Sequence, residues 1–238
     1  MGTAIGLDLR EPFVAPAVVE DFFAWIVSVD ARFSTYKPHS LVSRMRRGES
    51  TSDPDMAEVE ATCERVREAS GGAFDAWRHS PDGFDPSAVV KGWSADRGAA
   101  ILRGAGARNF CINAGGDVLA LGEPVPGAPW RVGIRHPVEA DKVAAVLGVR
   151  NCAVATSGAY ERGRHIRVPG SDAPPHGLLS VTVAGPTLAL ADAYSTAAFV
   201  MGAEAPAWLA QLPAYSGMVI TDEMRGVSTD GFARMRVD

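Results

Sequence analysis

The chain has 238 residues, 47% of them hydrophobic and 21% charged, with a formal net charge of −5. That length supports one large domain or two small subdomains around a sizeable core, and the acidic balance leaves no basic footprint for nucleic acid. No run approaches the ~20 apolar residues of a membrane span, and the opening MGTAIGLDLREP lacks the basic region and apolar core of a secretory signal, so the sequence predicts a cytoplasmic protein. Cys63, Cys111 and Cys152 are scattered without CxxC spacing, which predicts inert thiols rather than a disulfide framework or zinc site.

In chain order, residues 3–9 alternate as a first strand. Val18, Phe22, Trp25, Ile26, Val29 and Phe33 fall at helical spacing and form a core-facing stripe. The polar run 33–40, FSTYKPHS, reads as a loop. Asp53-Pro54 caps a helix striped by Met56, Val59, Cys63 and Val66 and ending at Gly71-Gly72, with Asp75 beyond it as a turn residue. Asp85-Pro86 starts the next helix, Asp as cap and Pro in the first helical position, and Val89, Trp93, Ala100 and Ile101 mark its apolar face. Lys91 lies near that helix's N-terminus, where a cation opposes the dipole and calls for a nearby anion.

Residues 109–113 look like a strand broken by Gly115-Gly116, where backbone approaches closely. The runs 117–121, 129–134, 151–156 and 178–184 follow as strands between Pro/Gly turns. The helix 188–202, LALADAYSTAAFVMG, is apolar nearly all round and therefore buried. Asp192 in its middle needs a cation or donors, and Thr196 stands one turn further on the same face. The two read either as hard oxygen ligands for Mg²⁺ or as an Asp–Arg pair with Thr196 bonded to its own backbone. A short helix, a strand near 217–221, and a turn with a last edge strand over 221–233 complete the chain. The order of elements predicts an α+β fold. Dinucleotide, P-loop, zincin and nucleophile-elbow motifs are not found.

Asp85…Ala88…Lys91-Gly92-Trp93…Asp96, followed by Asn113-Ala114-Gly115-Gly116-Asp117, resembles the signature of the FAD:protein FMN transferases, the ApbE-type flavin transferases. Other segments match in the family's order. Phe33–Ser40 resembles the element whose Tyr, here Tyr36, lines the flavin pocket; its bare reading is a surface loop. The family ends that element with Ser-Arg-x-Asn, whereas Ser43-Arg44-Met45 is followed here by Arg46. Ala73-Phe74-Asp75 resembles a segment that contacts FAD largely through backbone. The D-A-x-x-T of Asp192 to Thr196 resembles the family's metal helix. His165-Ile166-Arg167-Val168-Pro169 keeps the His, Ile and Pro of His-Ile-x-Asp-Pro-x-Thr-Gly, but Val168 replaces the Asp and the Thr-Gly step is absent.

The resemblance implies one domain over residues 1–238, an α+β fold of mixed sheets with packed helices. It implies an enzyme that binds FAD and Mg²⁺ and moves FMN onto a Ser/Thr hydroxyl of an acceptor protein, releasing AMP. Mg²⁺ would be held by Asp192, Thr196 and the carbonyl of Ala88. Lys91 would stabilise charge at the phosphates, and His165 would take the proton of the incoming hydroxyl. Asp85 would bind FAD or orient the helix start, while Met1, Tyr36, Ala73, Phe74, Asp75 and Ile166 would frame the ligand. Three alternatives share parts of this reading: an FAD pyrophosphatase, a non-catalytic FAD-binding protein and a flavin-dependent oxidoreductase.

Overall fold

A seven-stranded sheet forms the centre of the molecule in the order β1 (Ile5–Leu9), β2 (Phe110–Ala114), β3 (Asp117–Leu121), β6 (Cys152–Gly158), β7 (Leu178–Gly185), β8 (Ser216–Thr221) and β9 (Gly226–Ser228). Every pairing is antiparallel. A separate antiparallel ribbon pairs β4 (Trp130–Arg135) with β5 (Val143–Val149). The helices are α1 (Pro16–Phe33), α2 (Leu41–Arg46), α3 (Pro54–Ala69), α4 (Ser87–Gly104), α5 (Leu188–Met201), α6 (Ala205–Leu209) and α7 (Asp230–Met235). The computed structural model describes residues 2–11, 13–78, 80–159, 166–171 and 173–237. The expected roles of Met1 and His165 lie outside them.

The α+β class holds, and the sheet's two faces explain its sequence. Ala153, Ala155, Val181 and Val183 join Phe22, Trp93, Leu102 and Leu188 in a large core between sheet and helices. Val154, Ala184, Met218 and Ile220 join Trp130, Val132, Leu147 and Phe232 in a second core beneath the β4–β5 ribbon. Successive strand residues point to opposite faces, so strands covered on both sides read as continuous apolar runs instead of alternating ones. That is why VTVAG in β7 is buried at every residue.

Local differences from the sequence reading have local causes. β5, VAAVLGV, spaces its valines with alanine and glycine instead of alternating apolar with polar residues, and goes unread in the sequence; its partner defines it, with Trp130 opposite Val149 and Val132 opposite Leu147. Asp230–Met235 is a helix rather than part of an edge strand, because Phe232 plugs the second core and Val237 N–H bonds the Val146 carbonyl at 2.9 Å. The short α2 also goes unread; Ser40 caps it by accepting from Ser43 N–H at 3.0 Å. The helix around Lys91 begins one residue later than Asp85-Pro86 predicts. Pro86 is the N-cap, not the first helical residue, and Asp85 Oδ1 accepts from Ser87 N–H at 3.0 Å instead of capping the helix directly. Among the described residues no helix is long and apolar enough to cross a membrane.

Candidate active site

α5 carries the site into the middle of the protein. Every residue from Leu188 to Phe199 is buried, so Asp192 cannot be solvated and must be held by other polar groups. α4 runs antiparallel beside it: Lys91 faces Asp192, and five residues on Asp96 reaches the start of α5. Asp96 Oδ1 and Oδ2 accept from Leu188 and Ala189 N–H, each at 2.9 Å. That carboxylate closes two of the open donors at the helix start. Burial pushes its pKa up to about 6, against the two helix N–H groups, which favour the charged form. The helices approach so closely because residue 92 is glycine. A Cβ there would lie 2.4 Å from the Leu188 carbonyl carbon and oxygen.

The third side of the site comes from the β2–β3 hairpin. Gly115 and Gly116 both have positive φ, +63° and +102°, the combination that a two-residue turn between twisted strands requires. The turn is pinned by Gly116 N–H to Asn113 Oδ1 at 2.9 Å and by Gly115 N–H to the Ala4 carbonyl at 3.0 Å. Asp117 emerges from it almost wholly buried. Its Oδ1 accepts from Thr156 N–H at 2.9 Å, and its Oδ2 forms an ion pair with Lys91 Nζ. The same ammonium lies 3.4 Å from Asp192 Oδ2. The anion that the placement of Lys91 demands is thus a pair of carboxylates from two different elements.

A chain of hydroxyls completes the arrangement. Ser195 Oγ donates to the Asp192 carbonyl at 2.8 Å and lies 2.8 Å from Ser157 Oγ, which lies 3.2 Å from Thr196 Oγ1. Each hydroxyl has one proton. With Ser195 committed to the carbonyl, Ser157 donates to Ser195 and Thr196 donates to Ser157. The lone pairs of Thr196 then remain for a cation, one turn from Asp192. It is Ser195, not Thr196, that bonds to its own helix backbone.

These groups fit a hard divalent ion: a carboxylate and an oriented hydroxyl are oxygen donors of the kind Mg²⁺ takes. Among the described residues no three His, Cys, Asp or Glu gather as a ligand set, so backbone, substrate and water oxygens would supply the rest. Ala88 lies on α4 one turn before Lys91. The thiols stand apart from this chemistry, since burial raises Cys63 and Cys152 and takes Cys111 to about 11.

Ala73, Phe74, Asp75, Asp85 and Ile166 lie on a second cluster of loops. Asp85 N–H bonds the Ala76 carbonyl at 2.7 Å and Gly170 N–H bonds the Arg78 carbonyl at 3.1 Å, which joins segments 73–78, 84–86 and 166–170. Asp75 fills the turn role, its Oδ1 accepting from Trp77 and Arg78 N–H at 2.9 and 3.2 Å. The ring of Phe74 is buried in the main core, as is Ile166, so Phe74 offers a ligand only its backbone and that of neighbouring Ala73. Arg46 ties α2 to this cluster, donating from Nε to the Phe84 carbonyl at 2.8 Å with Nη2 3.8 Å from Asp85 Oδ2. Tyr36 is 90% exposed.

The chain matches the ApbE family model over residues 1–80 and 77–219. It belongs to the ApbE family. Among its relatives, the FAD:protein FMN transferase of Haemophilus influenzae is 28% identical over 249 residues, covering 77% of this chain and 72% of that protein. The FAD:protein FMN transferase of Rhodobacter capsulatus is 33% identical over 217 residues, covering 87% of this chain but 39% of that protein. The fold of this ApbE-family chain is that of the flavin transferase ApbE from Vibrio cholerae, with a TM-score of 0.86 at 22% identity over 99% of this chain and 96% of that one. The ApbE protein of Thermotoga maritima superposes with a TM-score of 0.85 at 20% identity, covering 99% of this chain and all of that one.

Asp117, Ser157 and Asp96 have no assigned role in the sequence reading. An Asp opening the buried run DVLAL directly after Gly-Gly was the available signal for the first. Nothing local marks Ser157, whose importance depends on which helix lies over β6.

Proposed function

We propose that this chain is an FAD:protein FMN transferase. The observation that carries the reading is the buried cluster of Lys91, Asp117 and Asp192 with an oriented Thr196 hydroxyl, in a chain of the ApbE family. Both relatives described above bear that activity in their names.

In the reaction, the oxygen of an acceptor Ser or Thr attacks the FMN phosphorus of FAD. The bond from that phosphorus to the bridging oxygen breaks, and AMP leaves with that oxygen. Asp192, Thr196 and the carbonyl of Ala88 would hold Mg²⁺, which when bound neutralises the pyrophosphate and polarises the scissile phosphoryl group. Lys91 places a cation beside the phosphates, where electrostatic stabilisation contributes most to such transfers. His165 takes the proton of the attacking hydroxyl. The loops at Ala73–Asp75, Asp85 and Ile166, with Met1 and Tyr36, frame the flavin and adenosine.

The test is incubation of the purified protein with FAD and Mg²⁺, with and without an acceptor domain carrying a Ser/Thr-Gly-Ala-Thr-like motif, followed by mass spectrometry. An acceptor gain of FMN minus water, abolished by EDTA, is the expected result. FMN and AMP without labelling would make the protein a pyrophosphatase, an outcome that the altered segment after His165 keeps in view. FAD bound and unchanged would make it a binding protein.

A further inference from the structure

We infer that Asp117 is a positioning residue that draws the Lys91 ammonium toward itself and so loosens the lysine's hold on Asp192, which lets a divalent cation compete for that carboxylate. The inference rests on the metal reading above. The ammonium is ion-paired with both carboxylates, closer to Asp117 than to Asp192, from which it lies 3.4 Å.

Asp117 is held independently of Lys91. The β2–β3 turn fixes its backbone, Val118 pairs with Val154 on β6, and Thr156 N–H holds Oδ1. Asp117 is therefore a fixed anchor, while the lysine is a flexible stem tipped by a point charge. A divalent ion arriving at Asp192 meets a positive charge within a few ångströms in a buried site, where repulsion is weakly screened. The ammonium must withdraw, and Asp117 gives it a counter-charge to withdraw to. With residue 117 uncharged, Lys91 would settle on Asp192 and the metal would have to displace it.

This predicts a coupling that a purely structural aspartate would not show. Binding of Mn²⁺ alone, followed by the EPR signal of the free ion, should weaken about tenfold or more in Asp117→Asn, the scale on which groups behind a metal ligand act. The isosteric Asn retains the Oδ1 acceptor for Thr156. In Asp117→Asn/Lys91→Met the competing cation is gone, and affinity should return to within about threefold of the parent, the residual difference reflecting the lost negative charge. Equal affinity in Asp117→Asn and the parent would overturn the inference and leave the metal reading intact. A double variant as weak as Asp117→Asn would also overturn it, making Asp117 a ligand or a purely structural residue. Parent protein that binds no Mn²⁺, or binding that survives Asp192→Asn, would sink the metal reading itself and this inference with it.

Discussion

Two clusters in this protein set one basic side chain against two aspartates, and they do different things. At the junction of α1 and α3, Arg32 forks onto Asp53 at 2.7 and 2.8 Å and onto Asp55 at 2.8 Å, with all three side chains a fifth to a third exposed. Asp53 also caps α3 by accepting from Met56 N–H at 3.0 Å. Burial alone would raise the Asp53 carboxyl, but Arg32 and that N–H outweigh it and hold it low. At the junction of α4, β3 and α5, Lys91 lies between Asp117 and Asp192, whose side chains are 2% and 6% exposed. A planar guanidinium matches carboxylates edge to edge and locks them, and water screens what is left. A partly exposed ammonium on a flexible stem between two buried carboxylates is a point charge in a poorly screened place. The first cluster is a clamp; the second, on the metal reading proposed above, is where one cation would give way to another.

The comparison predicts effects of very different size. Asp192→Ala should cost several kcal/mol of transition-state stabilisation, about a thousandfold in metal-dependent FMN transfer. Full Mg²⁺-dependent turnover in that variant would break the reading. Lys91→Met leaves two buried carboxylates facing each other and should lower stability by about 3 kcal/mol in EDTA, a loss that chemical denaturation would measure and that added Mg²⁺ should partly restore. Gly92→Ala forces a methyl into the Leu188 carbonyl, so it should cost about 3 kcal/mol by overpacking; an unchanged melting temperature would mean that α4 and α5 separate easily.

Asp96 supplies a pH test. Its folded value near 6 lies above the ordinary 3.8. Its favourable contribution is therefore fully present below pH ~4 and is lost as pH rises through about 6. Asp96→Asn removes that titration, so the stability difference between parent and variant should change by up to about 3 kcal/mol between pH 4 and 7. A pH-independent difference would show that the helix N–H groups fully offset burial. The smallest effect belongs to the clamp: Arg32→Ala should cost about 1 kcal/mol, less at high salt.

How legible the site was depended on distance along the chain. Asp53 caps the helix its own neighbours start, and the Asp53-Pro54 signal was enough. Asp192 announced itself because a carboxylate inside LALADAYSTAAFVMG is improbable without a partner. The partner itself was not legible. The sequence placed Lys91 near a helix start and left its anion open, since nothing local says that β3 and α5 converge there. The Asp85-Pro86 signal points one residue too early because Pro86 takes a cap conformation outside the helix. The hydroxyl chain was invisible because Ser157 and Ser195 are 38 residues apart.

The sequence by itself therefore determined the α+β class, the long helices, the buried nature of α5 and the need for charge compensation at Lys91 and Asp192. These follow from periodicity and desolvation, which act over a few residues. Tertiary structure alone decided that Asp117 pairs with the lysine, that Asp96 closes the start of α5, and that the hydroxyls of Ser195, Ser157 and Thr196 line up in one chain. Those outcomes depend on antiparallel helices in contact at Gly92 and on a hairpin turned tightly enough to deliver Asp117 beneath them, and such long-range packing has no local sequence signal.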